Sequence, residues 1–154
     1  MSEPPLFLDT SALLRAYLTR EPLSAFVLEK MRAAPLVIVS LLAHPEVTSA
    51  LTQRQHRDHS ARLSTAQVST LLADFEHDWE TLAVVELTQA VTRRASLLVR
   101  EYPEVGLRAL DALHLACALE AREVYGSLSF LTFDARQSQV AEALGFERPA
   151  PPSV

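Results

Sequence analysis

Pro35-Leu36-Val37-Ile38-Val39-Ser40 is the stretch on which the fold turns. Leu36 to Val39 is apolar at every position and mostly β-branched. A strand with one face in water would alternate apolar and polar side chains. An unbroken apolar run is the mark of a parallel strand covered on both faces. Outward from it, helix and strand signals alternate. Leu6 to Leu8 reads as a short buried strand, Thr10 to Thr19 as a helix, and Leu23 to Ala34 as a second helix with Pro22 near its start. After the central run, Ser40 reads as the N-cap of a helix reaching about Asp58. Pro45 would then lie beyond the free first turn of that helix and kink it. A helix from Ser64 or Thr65 to about Asp78 follows, then a strand from Leu82 to Leu87 and a helix from Gln89 to about Arg100 capped by Thr88. Leu107 to Arg122 is helical, with a break allowed at Asp111. Phe130 to Phe133 is a strand, and Ala135 to Leu144 a last helix closed by Gly145. This order predicts an α/β fold with a mostly parallel central sheet wrapped by helices.

The composition agrees. A chain of 154 residues suits one domain, and 49% apolar residues supply a full core. We expect a single domain over residues 1–154, with 1–5 and 149–154 as frayed, proline-rich tails. Only three glycines occur, which favours helix. The single cysteine, Cys117, excludes an internal disulfide, and its apolar neighbours mark it as core filler, not nucleophile. No apolar run reaches the ~18 residues of a membrane span, and the opening MetSerGluProPro is unlike a signal peptide. A soluble, cytoplasmic protein is expected. The net charge of −5 does not advertise a nucleic-acid binder. A cluster of carboxylates neutralised by a bound cation would account for most of it.

Four acids carry the functional reading. Asp9, Asp111 and Asp134 interrupt LeuPheLeu–ThrSerAlaLeuLeu, LeuArgAlaLeu–AlaLeuHisLeuAla and PheLeuThrPhe–AlaArg, and Glu46 follows LeuLeuAlaHisPro. A carboxylate in apolar surroundings must be paired, used as a helix cap, or bound to a metal. Asp9 and Asp134 each follow a strand, so both point into the crevice beyond the carboxyl ends of the strands, where ligands of such sheets bind. Each also fits an N-cap, and one reading does not exclude the other, since a cap uses one oxygen. Thr10 and Ser11 offer alternative caps beside Asp9. Asp111 stands in a nearly all-apolar helix, against the plainer reading of a cap for a helix starting at Ala112. Glu46 alone is an ordinary helical glutamate. His114 shares a helix face with Asp111 and reads either as its tuner or acid–base partner or as a buried structural histidine. His56 and His59 read as solvated. Arg54, Arg57, Arg93, Arg94, Arg100 and Arg108 are candidates for phosphate contact or plain solvent faces. Oxygen ligands of this kind suit a hard divalent ion. Crowded carboxylates without one should show raised pKa values and a mobile site.

Taken in order, these four motifs resemble those of the PIN-domain nucleases, and most closely the VapC-type toxins of bacterial toxin–antitoxin pairs. LeuPheLeuAsp9ThrSerAlaLeuLeu is similar to the family's opening strand and first acid, and Ser40 through Glu46 to its second-strand serine and helical glutamate. Leu110Asp111AlaLeuHisLeuAla resembles its third motif, and PheLeuThrPheAsp134AlaArg with AlaLeuGlyPhe its last strand and acid. The resemblance implies a three-layer α/β/α fold and an endoribonuclease dependent on Mg²⁺, with Mn²⁺ as a substitute. It implies that Asp9 and Asp111 hold the principal metal, and that Glu46 and Asp134 complete the cluster or hold a second ion. Ser11 and Thr132 match hydroxyl positions bordering that site. It further implies an RNA substrate, a VapB-like antitoxin whose tail covers the groove, and a homodimer. A catalytically silent module of the same fold that binds RNA or protein, and a housekeeping nuclease, are the alternatives. A phosphatase with an aspartate after the first strand would want a second aspartate where Ser11 stands, and a receiver domain a late lysine, whereas Lys30 is the only one.

Overall fold

The computed structural model describes residues 2–56 and 62–153. The ends expected for the helix near Asp58, together with Arg57 and His59, lie outside the described residues. In chain order the elements are β1 (Leu6–Leu8), α1 (Thr10–Arg15), α2 (Ser24–Ala33), β2 (Val37–Ser40), α3 (Ala43–Gln53), a short 3₁₀ turn (Arg54–His56), α4 (Thr65–Trp79), β3 (Ala83–Val85), α5 (Gln89–Glu101), α6 (Ala109–Tyr125), β4 (Ser129–Leu131) and α7 (Ala135–Ala143). The four strands form one sheet in the order β3-β2-β1-β4, and every pairing is parallel. Phe7 stands level with Ile38 on one side and with Phe130 on the other; Leu8 is level with Val39 and Leu131.

Successive side chains along a strand point to opposite faces, so this register sorts the core in two. Phe7, Ile38 and Phe130 pack with Val91, Ala95, Leu115, Ala116, Val140 and Ala141 of α5, α6 and α7. Leu6, Leu8, Val39 and Leu131 pack with Leu13, Val27, Val47, Leu51 and Phe75 of α1 to α4. The result is the three-layer α/β/α arrangement, with both faces of the sheet covered as the LeuValIleVal run requires. Rings of Phe7 and Phe130 stack across the neighbouring strands with centroids 5.4 Å apart. Cys117 is fully buried, and burial pushes its thiol up to about 11, as befits a core residue.

Two expected boundaries move, each for a hydrogen-bonding reason. Ser40 is not a helix N-cap. It ends β2, buried, and its Oγ accepts from the N–H of Leu42 at 3.1 Å. α3 therefore starts at Ala43, and Pro45 falls in its first turn, where N–H groups have no intrahelical partner. The kink expected from Pro45 loses its cause. β4 ends at Leu131, not Phe133, because the next N–H groups leave the ladder for side chains. Phe133 N–H donates to Ser11 Oγ at 2.9 Å, and Asp134 N–H to Thr132 Oγ1 at 3.0 Å. The first helix also stops early, at Arg15, and Leu23 adopts a left-handed φ of 71° at the start of α2. β3 is shorter than read, Ala83–Val85, and α6 is shifted to Ala109–Tyr125 without a break at Asp111, whereas three of the expected caps and turns hold. Ser64 and Gln67 form a reciprocal capping box on α4, Thr88 caps α5, and Gly145 turns the chain after α7 with φ of 82°.

Candidate active site

The carboxyl ends of β1 and β4 meet at Asp9 and Thr132. Asp9 is 2% exposed and caps α1, its Oδ1 accepting from Ala12 N–H at 3.0 Å. Neither Thr10 nor Ser11 caps. Ser11 Oγ instead donates to Asp9 itself, at 2.7 Å to Oδ1. Thr132 Oγ1 donates to Asp9 Oδ2 at 2.7 Å, and Gln137 Nε2 to the same oxygen at 2.9 Å. The two hydroxyls noted at the border are thus direct partners of the first acid.

Asp111 is not a cap. α6 begins at Ala109 after Arg108, which puts Asp111 in its first turn, where the positive end of the helix dipole favours a carboxylate. Its Oδ1 accepts from Gln137 Nε2 at 3.1 Å, and its Oδ2 is buried with no partner among the described residues. Asp134 caps α7 as expected, its Oδ1 accepting from Gln137 N–H at 2.9 Å, and its charge acts on Asp111. Asp9 and Asp111 therefore meet at the side-chain amide of Gln137 and Asp134 at its backbone N–H, so all three gather around one residue, 3% exposed.

Glu46 comes in from α3 to one side of that trio. Its Oε1 accepts from Thr10 Oγ1 at 2.7 Å and lies 2.7 Å from His114 Nε2. His114, almost fully buried, thus partners Glu46 and not Asp111, the residue whose helix face it shares. His114 also lies close enough to Asp9 for its charge to act there.

Electrostatics divides the acids. Burial raises the Asp9 carboxyl above the usual range, against the pull of Thr132, His114, Ser11 and Ala12. Burial also raises Asp111, helped by the neighbouring charge of Asp134 and opposed by Gln137 and Arg108. The rise expected from crowding is present at these two, but its first cause is desolvation. Glu46 runs the other way. Burial alone would raise it, yet the hydrogen bonds from His114 and Thr10 and the histidine's charge together hold it below the usual range.

Sequence reasoning missed Thr10 and Gln137. Gln137 had one signal: it sits three residues after a cap aspartate, where a side chain turns back over the helix start. Among the arginine candidates, Arg54 is committed to Glu21 and Arg94 to Glu120 and Glu123, while exposed Arg108 borders Asp111. His56 is exposed, as read.

In kind, this donor set fits a hard divalent cation: carboxylate and hydroxyl oxygens, no thiol, and a buried Asp111 oxygen that lacks a partner. In placement, no three His, Cys, Asp or Glu side chains among the described residues stand close enough to hold an ion as they are. The Gln137 amide occupies the bridge between Asp9 and Asp111, so gripping an ion with both acids requires that amide to yield.

Residues 6–143 match the family model described as PIN domain. Ribonuclease VapC45 of Mycobacterium tuberculosis strain CDC 1551 / Oshkosh is 34% identical over 116 residues, covering 75% of this chain and 76% of that protein. Ribonuclease VapC49 of strain ATCC 25618 / H37Rv matches equally, at 34% over the same coverage. Among solved structures, the sarcin–ricin-loop-cleaving toxin VapC20 of M. tuberculosis superposes with a TM-score of 0.66 at 17% identity, over 96% of this chain and 99% of that one. A toxin–antitoxin complex from Klebsiella pneumoniae gives 0.65 at 17%, over 97% and 99%. VapBC2 of Rickettsia felis, bound to promoter DNA, gives 0.64 at 14%, over 95% and 99%.

Proposed function

The chain belongs to the PIN-domain family, and from that membership we propose that it is an endoribonuclease of the VapC toxin type, cutting RNA phosphodiester bonds at Asp9, Asp111, Asp134 and Glu46. The observation that carries the site assignment is the bridge at Gln137. It brings the buried carboxylate of Asp9 and the half-buried one of Asp111, from distant parts of the chain, to a single amide nitrogen at the carboxyl end of a parallel sheet. Buried acids are costly to keep as mere caps, and a plain helix start needs no second acid opposite it.

In this reading Asp9 and Asp111 hold the principal divalent cation and Asp134 completes the set. Mg²⁺ is the ion we assign, with Mn²⁺ as a substitute. When bound, such an ion acidifies a water and offsets charge on the scissile phosphate. The protein's own groups do the rest. Ser11 and Thr132 fix both oxygens of Asp9. Thr10 and His114 fix Glu46 by one oxygen and favour its ionised form, which suits a carboxylate that completes the cluster beside Asp134. Arg108, exposed at the edge of Asp111, is placed to meet a phosphate of the RNA backbone. An antitoxin of the VapB type covering the groove, and a second copy in a homodimer, are the protein partners. The cytoplasm is the compartment this reading assigns. Residues 1–154 are read as one PIN domain.

Cleavage of RNA by the purified chain, free of antitoxin, tests the assignment. Wild type cuts with Mg²⁺ or Mn²⁺ and not with EDTA. Asp9→Asn loses at least the ~100-fold that removal of an outer-shell partner costs a metal enzyme. Equal cleavage by both proteins, or none by either across metals and RNAs, rejects it. The last result would favour a silent RNA- or protein-binding module.

A further inference from the structure

Gln137 is the residue around which the acidic centre is arranged, and nothing in the four motifs assigns it a task. Its backbone N–H donates to Asp134 Oδ1 at 2.9 Å, which fixes the start of its side chain. Its Nε2 then donates to Asp9 Oδ2 at 2.9 Å and to Asp111 Oδ1 at 3.1 Å. A primary amide carries two hydrogens on one nitrogen, so it can serve two acceptors at once. Three of the four acids are therefore bonded to a single residue, 3% exposed, on the first turn of α7.

The residue type matters. A lysine here would neutralise the acids and take the place of a cation. A leucine would leave both carboxylates without a donor. A glutamine gives both carboxylates a donor without bringing a positive charge that would compete with a divalent ion. Two buried acceptors remain open at the bridge, Gln137 Oε1 and Asp111 Oδ2, neither with a partner among the described residues. Acceptors left so are costly unless something fills them, and a cation with its waters does so.

We propose that Gln137 is a positioning residue that ties Asp9 and Asp111 into one ligand pair and sets how tightly that pair takes a divalent cation. This rests on the nuclease reading above. On ion binding, the Nε2 bridge opens and the amide remains beside the pair, bonded to one carboxylate or turned to offer Oε1 to the ion's waters.

Calorimetric titration of Mn²⁺ into the EDTA-treated, dialysed full chain tests this, with Gln137→Leu and Gln137→Met as variants and circular dichroism as the check on folding. The expected result is Mn²⁺ affinity lowered ~10- to 100-fold in both variants, as for loss of an outer-shell partner. A merely structural residue would change the unfolding temperature and leave affinity alone. Affinity within about threefold of wild type in a folded variant overturns the proposal (a ratio small beside the tenfold scale of such losses). If neither variant folds, the wild-type side-chain amide signals of Gln137 decide. They should move during a Mg²⁺ titration at the midpoint of ion binding, and signals that stay still overturn it. Uptake of no divalent ion by wild type rejects the nuclease reading itself, a different outcome from unchanged affinity in the variants.

Discussion

Asp9 and Asp111 are held above the usual carboxylate range and Glu46 below it, and this division makes the site's acids separable by pH. A carboxyl raised in the folded state binds its proton more tightly there than in the unfolded chain. Its contribution to stability is complete below the ordinary value of 3.8 and is lost as pH rises through the raised value. Glu46 has the opposite sign: its contribution is present above the ordinary 4.5 and is lost as pH falls through its lowered value. Ionised Asp111 beside Asp134 therefore weakens the cation-free protein at neutral pH. Asp111→Asn should raise the unfolding temperature at pH 7 in EDTA by ~2–4 °C, the shift that a modest gain produces in a chain of this length. The same variant should lose RNA cleavage. An unchanged or lower unfolding temperature in EDTA would contradict the charge assignment at Asp111. On the proposed nuclease reading, function and stability would oppose each other at this residue.

Among the elements, α3 shows how a shift of two residues in a helix start, its cap moving from Ser40 to Leu42, changes the meaning of a proline. With Ser40 as the cap, Pro45 deletes a helical hydrogen bond; with α3 starting at Ala43, it deletes none. Pro45→Ala should change stability by less than ~1 kcal/mol and leave the cleavage rate within about twofold, as expected of a proline at a compatible helix start. A kinked helix would straighten in that variant and swing Glu46 away from Thr10 and His114, so a large loss of cleavage would restore the kink. α4 gives the complementary case. Its capping box joins Ser64 Oγ to Gln67 N–H and Gln67 Oε1 to Ser64 N–H. Ser64→Ala should cost ~1 kcal/mol in urea unfolding and leave ion binding alone. The existence of each element was legible from apolar runs, caps and prolines. The ends of β2 and β4 were not, because both are set by side-chain hydroxyls bonding N–H groups that sequence reading assigns to a helix or a ladder.

For the whole molecule, the acidic centre sits where four strands end, roofed by elements from opposite layers. α1 and α3 come from one face of the sheet, α6 and α7 from the other. An ion bound there is held by both layers, so it should stabilise the fold as a unit. At a hundredfold excess over its dissociation constant, Mg²⁺ should add ~2.7 kcal/mol to unfolding. The melting temperature of wild type should rise with Mg²⁺ concentration, and that of Asp9→Asn should not. Equal rises in both would place the ion elsewhere. Among the described residues no helix is long and apolar enough to cross a membrane.

The alternation around Leu36–Val39 was enough to determine a parallel sheet between helical layers, because a run apolar at every position has no face to give to water. Asp9, Asp111 and Asp134 stood out for the same reason, as charges set in apolar sequence, and Glu46 only through its place in the order of the motifs. Their partners did not. Gln137 meets Asp9 across 128 positions and Asp111 across 26, and Glu46 meets His114 across 68. Local sequence carries no record of such distances, and helix periodicity would have joined His114 to Asp111. Only the packing of the two helical layers onto one sheet edge decided which acid each side chain reaches, and hence which carboxyls are raised and which is kept charged.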